Sequence, residues 1–508
     1  MPIVTVGKLS SRGASGAAAI ATYYTRGIHA RAIELTSGDL AGIASYYTAD
    51  HLEHGGPYAR WYGGSAERLG LVAGSECSAK QLRRVLQQLD PNDGSQLPNN
   101  GGRRATLSAL DLTFSYEKDL AVLWMLGDEA ARLTLEEIMD EASSESLGWM
   151  EQQTAVVRRG EGGWAHRSAS GFLAVEVDHT TSRPVSGLAA PHLHRHVVIM
   201  VIVEEGGSWT ALDSTRLFEL QKAAGAIAGQ RIRQLTEERL GLTWEQDDAG
   251  IFRVGGFDAE LRNRLSLRQQ QILEKAIAEG LDVTSRSDWV TSQRTSREGK
   301  NACGDDPQAS QWAIEMLLTE GITYETVMQS IREARQSKDL SRADRTWIDA
   351  TFTPPPADKL AASDWRLDVA RALAARNTFG TLAGRTKEDA DSPFNDIVPA
   401  WDQLEAAMAV DIRSREEVIH DALLSVGRER STWRRKDLTI SLCNAGVQLS
   451  DAEQEATAFL AGPESAYLYG LDDDPTSEIR IRIADQLPFR TLVGRYLANY
   501  EDADFVAA

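Results

Sequence analysis

The chain has 508 residues, 42% apolar and 25% charged, the balance of a soluble globular protein long enough for about three domains. No run approaches the ~18 apolar residues of a membrane span, and the opening MPIVTVGKLSSRGASG lacks the apolar core of a signal peptide, so no membrane insertion is expected. Three scattered cysteines, Cys77, Cys303 and Cys443, argue for a reducing cytoplasm and against both a disulfide framework and a cysteine zinc site. The formal net charge of −20 excludes a whole-surface polyanion binder. Residues 1–300, however, carry 32 Lys/Arg against 38 Asp/Glu, so a local basic groove is still allowed there.

In chain order, LSALDLTFS (107–115) reads as a strand, and EKDLAVLWMLGD from Glu117 onward as helix. SGFLAVEVDHTTS, ending at Ser182, and HLHRHVVIMVIVEE (192–205) have the β-branched, apolar character of buried strands. A long helix follows from about Ser214 to Leu240, with Asp213 or Ser214 as its cap and Gly241 where it stops. NACGDDPQA (301–309) reads as a boundary and TFTPPPADK (351–359) as a stiff linker, beyond which the pattern is mostly helical. These signals divide the chain into 1–310, a helical segment and linker over 311–356, and a mainly helical region over 357–508. A phosphate-cradling G-x-x-x-x-G-K-[ST] loop is missing; the nearest mimic, AGAIAGQR, lies inside the long helix, where its glycines allow close packing.

Chemistry concentrates in PHLHRHVVIM (191–200). Alternate residues of a strand share a face, so His192, His194 and His196 point the same way. His179, at the end of the preceding strand, is in place to join them from an antiparallel neighbour. Four of the nine histidines within eighteen residues point to a metal site with open positions, where a divalent ion acts as a Lewis acid. Such a site fits a small-molecule metal enzyme and a phosphoryl-transfer enzyme alike. What separates them is the nucleophile. IATYYTRG places Tyr23 beside Tyr24, and IASYYTAD places Tyr46 beside Tyr47. A phenol of pKa ~10 is about one-thousandth ionised at neutral pH, so it needs a base or a metal-polarised phosphate to act as nucleophile.

The order of these blocks resembles the TrwC/TraI-type (MobF) conjugative relaxases of the HUH endonucleases. The resemblance spans roughly residues 1–300 and rests on the tyrosine pairs, RWYGGSAERLGL, DLTFS (111–115), HTTSR (179–183), PHLHRHVV (191–198), WTALDSTRLFELQKAAG and RTSREGK. It implies an α+β fold, with a palm-like antiparallel sheet flanked by helices and followed by a mainly helical region. It implies His179, His194 and His196 as metal ligands, Tyr23 as the leading nucleophile with Tyr24 beside it, Tyr46 and Tyr47 for a second transfer, and Asp111 beside the metal cluster. The implied cofactor is Mg²⁺ or Mn²⁺, with Zn²⁺ as the alternative.

The implied activity is site-specific nicking and strand transfer at an origin of transfer (oriT) through a 5′-phosphotyrosine. Its partners are single-stranded or hairpin oriT DNA, relaxosome accessory proteins and a type IV secretion coupling protein. Its place is the bacterial cytoplasm, with passage to the recipient cell alongside the DNA. Arg158, Arg159, Arg183 and Trp164 are candidate DNA contacts. The family's P-K-S-V-S after D-L-T-F-S is replaced by YEKDLA, which implies different local substrate contacts. Alternatives are a rolling-circle replication initiator, a mononuclear histidine-ligated enzyme for small molecules, and a DNA-binding descendant without activity.

Overall fold

The computed structural model describes residues 3–9, 59–97, 107–160, 163, 165–182, 185–247, 250–283, 285–296, 307–351, 366, 368–370, 372–373, 397–409, 413–429 and 434–461. Its centre is a five-stranded antiparallel sheet built from β1 (Ile3–Leu9), β2 (Ala59–Tyr62), β3 (Ala109–Ser115), β6 (Ala174–Thr181) and β7 (Pro191–Met200), in the order β1-β3-β7-β6-β2. Two short strands, β4 (Val156–Arg159) and β5 (Ala165–Ser168), form a hairpin before β6. The central pairs β3/β7 and β6/β7 hold the register that matters later: His196 lies between Thr113 and Val177, and His194 between Ser115 and His179.

The period of two divides each strand between two environments. Leu110, Leu112, Phe114, Leu193, Val197 and Ile199 face a large apolar core shared with two long helices. Ala109, Val175, Val177, Val198 and Met200 face a smaller core closed by Trp61, Leu82 and Leu86. The second core is contributed by the short helices α1 (Gly64–Glu67) and α2 (Ala79–Leu86) and their connections. Burying each of these aliphatic side chains is worth roughly 1.5–3 kcal/mol, so the alternation pins the register.

The helical expectations are met closely. After α3 (Lys118–Leu126), the helix α4 (Glu129–Thr154) is capped by the Asp128 carboxylate on the Ala131 amide. It packs on α5 (Thr215–Leu240), which ends at Gly241 in the left-handed conformation. The glycines of AGAIAGQR, Gly225 and Gly229, are buried, and Ser146 Oγ donates to the Ala224 carbonyl at 2.8 Å. These small residues bring the two helices together, as the sequence suggests.

One expected strand divides. The segment read as continuous from His192 to Glu205 breaks after Met200 into β7 and β8 (Ile202–Glu205), and β8 pairs with β9 (Ser208–Ala211). At the break the buried Val201 donates to the Ser108 carbonyl and accepts from the Leu212 amide, so the backbone leaves the sheet with its hydrogen bonds satisfied. Hydrophobicity is unchanged across that point, which is why the pattern does not show it.

A further hairpin, β10 (Trp244–Gln246) with β11 (Phe252–Val254), leads into α6 (Ala259–Arg264), α7 (Leu267–Ala278), α8 (Arg286–Thr295), α9 (Pro307–Thr319) and α10 (Tyr324–Thr351). The last described helices are α11 (Ile397–Ala409), α12 (Arg415–Glu429), α13 (Arg435–Asn444) and α14 (Leu449–Ala461). α13 lies along α5, where Arg233 donates to the Cys443 carbonyl at 3.0 Å, and Trp149 Nε1 of α4 donates to Glu453 of α14 at 2.8 Å. Leu423, Val426, Leu438 and Leu442 join the large core. No helix among the described residues is long and apolar enough to cross a membrane.

The RWYGG block is where two backbones touch. Glu151 of α4 accepts from the Gly64 amide at 3.1 Å and the Phe172 amide at 2.6 Å, and Tyr62 Oη lies 3.4 Å away. Burial pushes the Glu151 carboxyl above its ordinary range in spite of these donors. A Cβ on Gly64 would land on the Ser170 carbonyl, and one on Gly63, at φ +96°, on the Phe172 carbonyl. Backbone cannot yield as a flexible side chain does. Gly64→Ala is therefore expected to destabilise by about 3 kcal/mol or prevent folding. Gly148→Ala, in mid-helix with nothing nearer than Tyr62 Oη at 3.9 Å, is expected to stabilise by about 1 kcal/mol. Urea unfolding of the two variants checks the contrast.

Candidate metal centre

β6 and β7 bring three imidazoles together. His179 and His194 sit directly opposite each other, and His196 is two residues along β7 on the same face. Their ring centroids are 5.0–5.1 Å apart, the planes meet at 66–89°, and one ligand nitrogen from each lies within 4.8 Å of the others. Edge-to-face rings around a shared space are how imidazoles converge on one ion.

Hydrogen bonds set which nitrogen His194 and His196 offer. His196 Nδ1 is 2.8 Å from Asp111 Oδ1 and 3.1 Å from Thr113 Oγ1, and Thr113 Oγ1 in turn donates to Asp111 at 3.2 Å. A carboxylate accepts, so Nδ1 carries the proton and Nε2 keeps its lone pair for an ion. His194 Nδ1 lies 3.1 Å from the His192 carbonyl, which also only accepts, so the same tautomer follows. Burial, with the neighbouring histidines His192, His179 and His196, holds His194 well below its ordinary pKa. The ring is neutral at physiological pH and available as a ligand. Three imidazoles backed by a carboxylate make a donor set that fits a divalent transition ion.

The fourth histidine stands apart. His192 shares the face, yet its ring stacks on His194, with centroids 4.7 Å apart and planes 22° apart, and it is not in the converging group. Burial, and after it the Lys118 ammonium, pull His192 down to about 3.

The opposite face of the same strands is charged. Arg195, between His194 and His196 in sequence and 3% exposed, makes a paired contact with Asp178 at 2.7 and 2.9 Å. It also reaches Asp140 at 2.8 Å and Ser143 Oγ at 2.8 Å, and Glu176 lies 3.5 Å away. Arg60 of β2 bridges Asp140 and Asp178 from the other side. Asp178 pairs with Arg195 one register step from His179 and His194, and a β-bulge follows between His179 and Thr181. The ion pair thus holds the register at the point where the ladder becomes irregular.

The other sequence candidates fall into two groups. Tyr23, Tyr24, Tyr46, Tyr47, Trp164 and Arg183 lie outside the described residues. Arg158 and Arg159 lie on β4 and carry carboxylate partners: Arg158 pairs with Asp213 at 2.9 and 3.1 Å, and Arg159 with Glu205 at 2.5 Å. In YEKDLA, Asp119 is fully buried and bonds Arg262 at 2.5 and 2.9 Å and the Val254 amide at 3.0 Å. Lys118 Nζ donates to the Pro191 carbonyl at 2.5 Å. These residues tie α3 to β7 and to the later hairpin. Thr113 went unremarked in the sequence, although its i+2 spacing from Asp111 puts it on the same face. The Arg195 cluster has no such local signal.

Two substitutions separate the roles. Asp111→Asn keeps the shape but removes the charge behind His196, so Mn²⁺ affinity measured by calorimetry is expected to fall about 10- to 100-fold with little change in unfolding. Arg195→Met is expected to lower stability by about 2 kcal/mol in urea unfolding. That is less than the ~3–5 kcal/mol of a fully buried broken pair, because Asp178 and Asp140 are half exposed and rehydrate.

Comparison with known proteins places this geometry. The TrwC relaxase family model matches residues 17–318. The multifunctional conjugation protein TraI of Escherichia coli strain K12 is 26% identical over 336 residues, 63% of this chain, and an Escherichia coli TraI is 27% identical over 289 residues, 54% of this chain. The chain spans only 17% and 15% of the length of these relatives. A copper-bound structure of the conjugative relaxase TrwC in complex with oriT DNA covers 63% of this chain and 99% of its own, at 22% identity and a TM-score of 0.50. That likeness is one of fold: an α+β domain with a central antiparallel sheet. The family model covers more than half of the sequence and includes every histidine of the cluster, and the chain belongs to the TrwC relaxase family.

Proposed function

We propose that the chain nicks one strand of DNA at an origin of transfer and keeps the 5′ end as a phosphotyrosine on Tyr23. The observation that carries this reading is the convergence of His179, His194 and His196 with Asp111 behind them, in a chain of the TrwC relaxase family. The relatives support it: both TraI proteins are conjugation proteins, and the copper-bound TrwC structure holds oriT DNA.

A divalent ion, Mg²⁺ or Mn²⁺, would supply Lewis-acid withdrawal of charge from the non-bridging oxygens of the scissile phosphate. Of the two, an all-imidazole set favours Mn²⁺. The chain's own residues do the rest. His179, His194 and His196 would hold the ion through ring nitrogens, and Asp111 fixes His196. Tyr23 is the nucleophile: its phenolic oxygen attacks the phosphorus, its proton passes to a base, and the 3′-oxygen leaves. Ionising a phenol at neutral pH opposes this by about 4 kcal/mol, which the polarised phosphate and a nearby acceptor offset. The phosphotyrosine conserves the phosphodiester bond energy, so rejoining needs no nucleotide hydrolysis. Tyr24, Tyr46 and Tyr47 are the candidates for a second transfer while Tyr23 is occupied.

In this reading the substrate is single-stranded or hairpin oriT DNA, and the assembly partners are relaxosome accessory proteins and a coupling protein. Arg183 and Trp164 are the proposed phosphate and base contacts. Contact through Arg158 or Arg159 requires exchanging Asp213 or Glu205 for a phosphate.

Incubation of the full chain with single-stranded oriT oligonucleotides and Mn²⁺ tests the reading. A covalent protein–DNA adduct that survives denaturation is expected. It should vanish with chelator, in Tyr23→Phe and in His194→Ala. Adduct formation undiminished in Tyr23→Phe would reassign the nucleophile, and no adduct with any origin strand would sink the reading.

A further inference from the structure

We propose that His192 is a positioning residue for His194, holding the plane of that imidazole by stacking rather than binding the ion itself. The inference rests on the reading of the three histidines as a metal site.

An imidazole ligand binds only while its nitrogen lone pair points at the ion, so rotation about its last side-chain bond has to be suppressed. The structure suppresses it for each ring differently. His196 is held through Nδ1 by Asp111 and Thr113. His194 has a single backbone partner, the His192 carbonyl at 3.1 Å, a weaker restraint on its ring than the carboxylate and hydroxyl that hold His196. Its faces and edges are set by its neighbours. His179 meets it edge-on at 89°, His196 at 75°, and His192 covers it nearly parallel at 22° with centroids 4.7 Å apart. Such an arrangement confines the ring without consuming either of its nitrogens.

The backbone that carries His192 is anchored to a neighbouring helix. Lys118 Nζ donates to the carbonyl of Pro191, the residue before it, and so ties the start of β7 to the first turn of α3. The alternating spacing of the three β7 histidines gives them the same direction but not the same task. His194 and His196 each offer Nε2 to the shared space, whereas His192 turns its ring flat against His194 and presents a face. A fourth ligand would aim a nitrogen at the cluster.

Two variants of the full chain decide it. His192→Ala removes the stacked ring, and His192→Phe keeps a flat ring that cannot ligate. In calorimetric titration with Mn²⁺, His192→Ala is expected to bind about 10-fold more weakly than the wild type, the size typical of groups that orient a ligand. His192→Phe is expected to stay within about threefold of the wild type. Equal weakening in both variants would show that a ring nitrogen of His192 is needed, and unchanged binding in His192→Ala would show that the stack does nothing; either overturns the proposal.

A metal-free measurement keeps this separate from the metal reading. In protein with isotope-labelled histidines, the ring ¹⁵N shifts of His194 are expected to report one tautomer, protonated at Nδ1, in the wild type and in His192→Phe, and a mixture in His192→Ala. If the wild type bound no Mn²⁺, the metal reading would fail, and the tautomer comparison would still decide whether His192 orders His194. Urea unfolding of both variants confirms that they fold.

Discussion

The site depends on one register: the antiparallel pairing of β6 with β7 that sets His179 opposite His194. A slip of β7 by one residue would send His194 and His196 to the far face of the sheet and bring Arg195 to the front, leaving His179 alone on its face. From Ala174 to Val177 the strand is buried on both faces, and the register there is specified by how Ala174 fits one core and Val175 and Val177 the other. Beyond Val177 the front face becomes polar and the ladder runs into a bulge, so alternation stops being decisive. There the paired contact of Arg195 with Asp178 takes over, one step before the ligand pair.

The two faces divide the electrostatic work. Behind the sheet, Asp140, Glu176 and Asp178 gather around Arg195 and Arg60. Burial pushes Glu176 above the usual carboxylate range, with the two guanidinium groups pulling the other way. Left uncompensated, these carboxylates would favour protonation of the histidines on the other side of the same strands, and a protonated imidazole cannot bind a cation. Arg195 and Arg60 pair with these carboxylates and offset most of that charge. In front, Asp111 is the carboxylate that touches a ligand, and it meets the protonated nitrogen of His196. A negative charge is placed where it strengthens a donor and is neutralised where it would spoil one.

How much of this was legible follows from how local each signal is. The three β7 histidines, the strand that carries them, the long α5 helix and its Gly241 stop are written in spacings of two and of three to four residues, and they read correctly. His179 could be proposed from its place at the end of the preceding strand, but setting His192 aside needed the order of motifs along the chain, because spacing alone left His192 equivalent to its neighbours. Illegible were features that join residues far apart: Arg195 with Asp140, the Gly63–Gly64 turn against Ser170 and Phe172, and Asp119 with Arg262. Each is fixed by tertiary approach, and no window of sequence contains both partners. The break at Val201 was missed for a different reason, since the residues on both sides are equally apolar.

The acidic character of the chain then takes on a structural meaning. Its arginines near the site are largely engaged: Arg195 and Arg60 behind the sheet, Arg158 with Asp213, Arg159 with Glu205, and Arg262 with the buried Asp119. A protein that held a polyanion by a broad basic surface would leave such cations free, and its affinity would rest on counterion release along the strand. In the proposed reaction the charge that meets the scissile phosphate would be concentrated at one point, an ion held by the three imidazoles. A net charge of −20 is compatible with that arrangement because the attraction required is local. Paired arginines hold the strands, and the strands hold the ligands. Positive charge in this region therefore serves mainly to build the site, and on the proposed function contact with the substrate would fall to the ion and to cations outside these pairs.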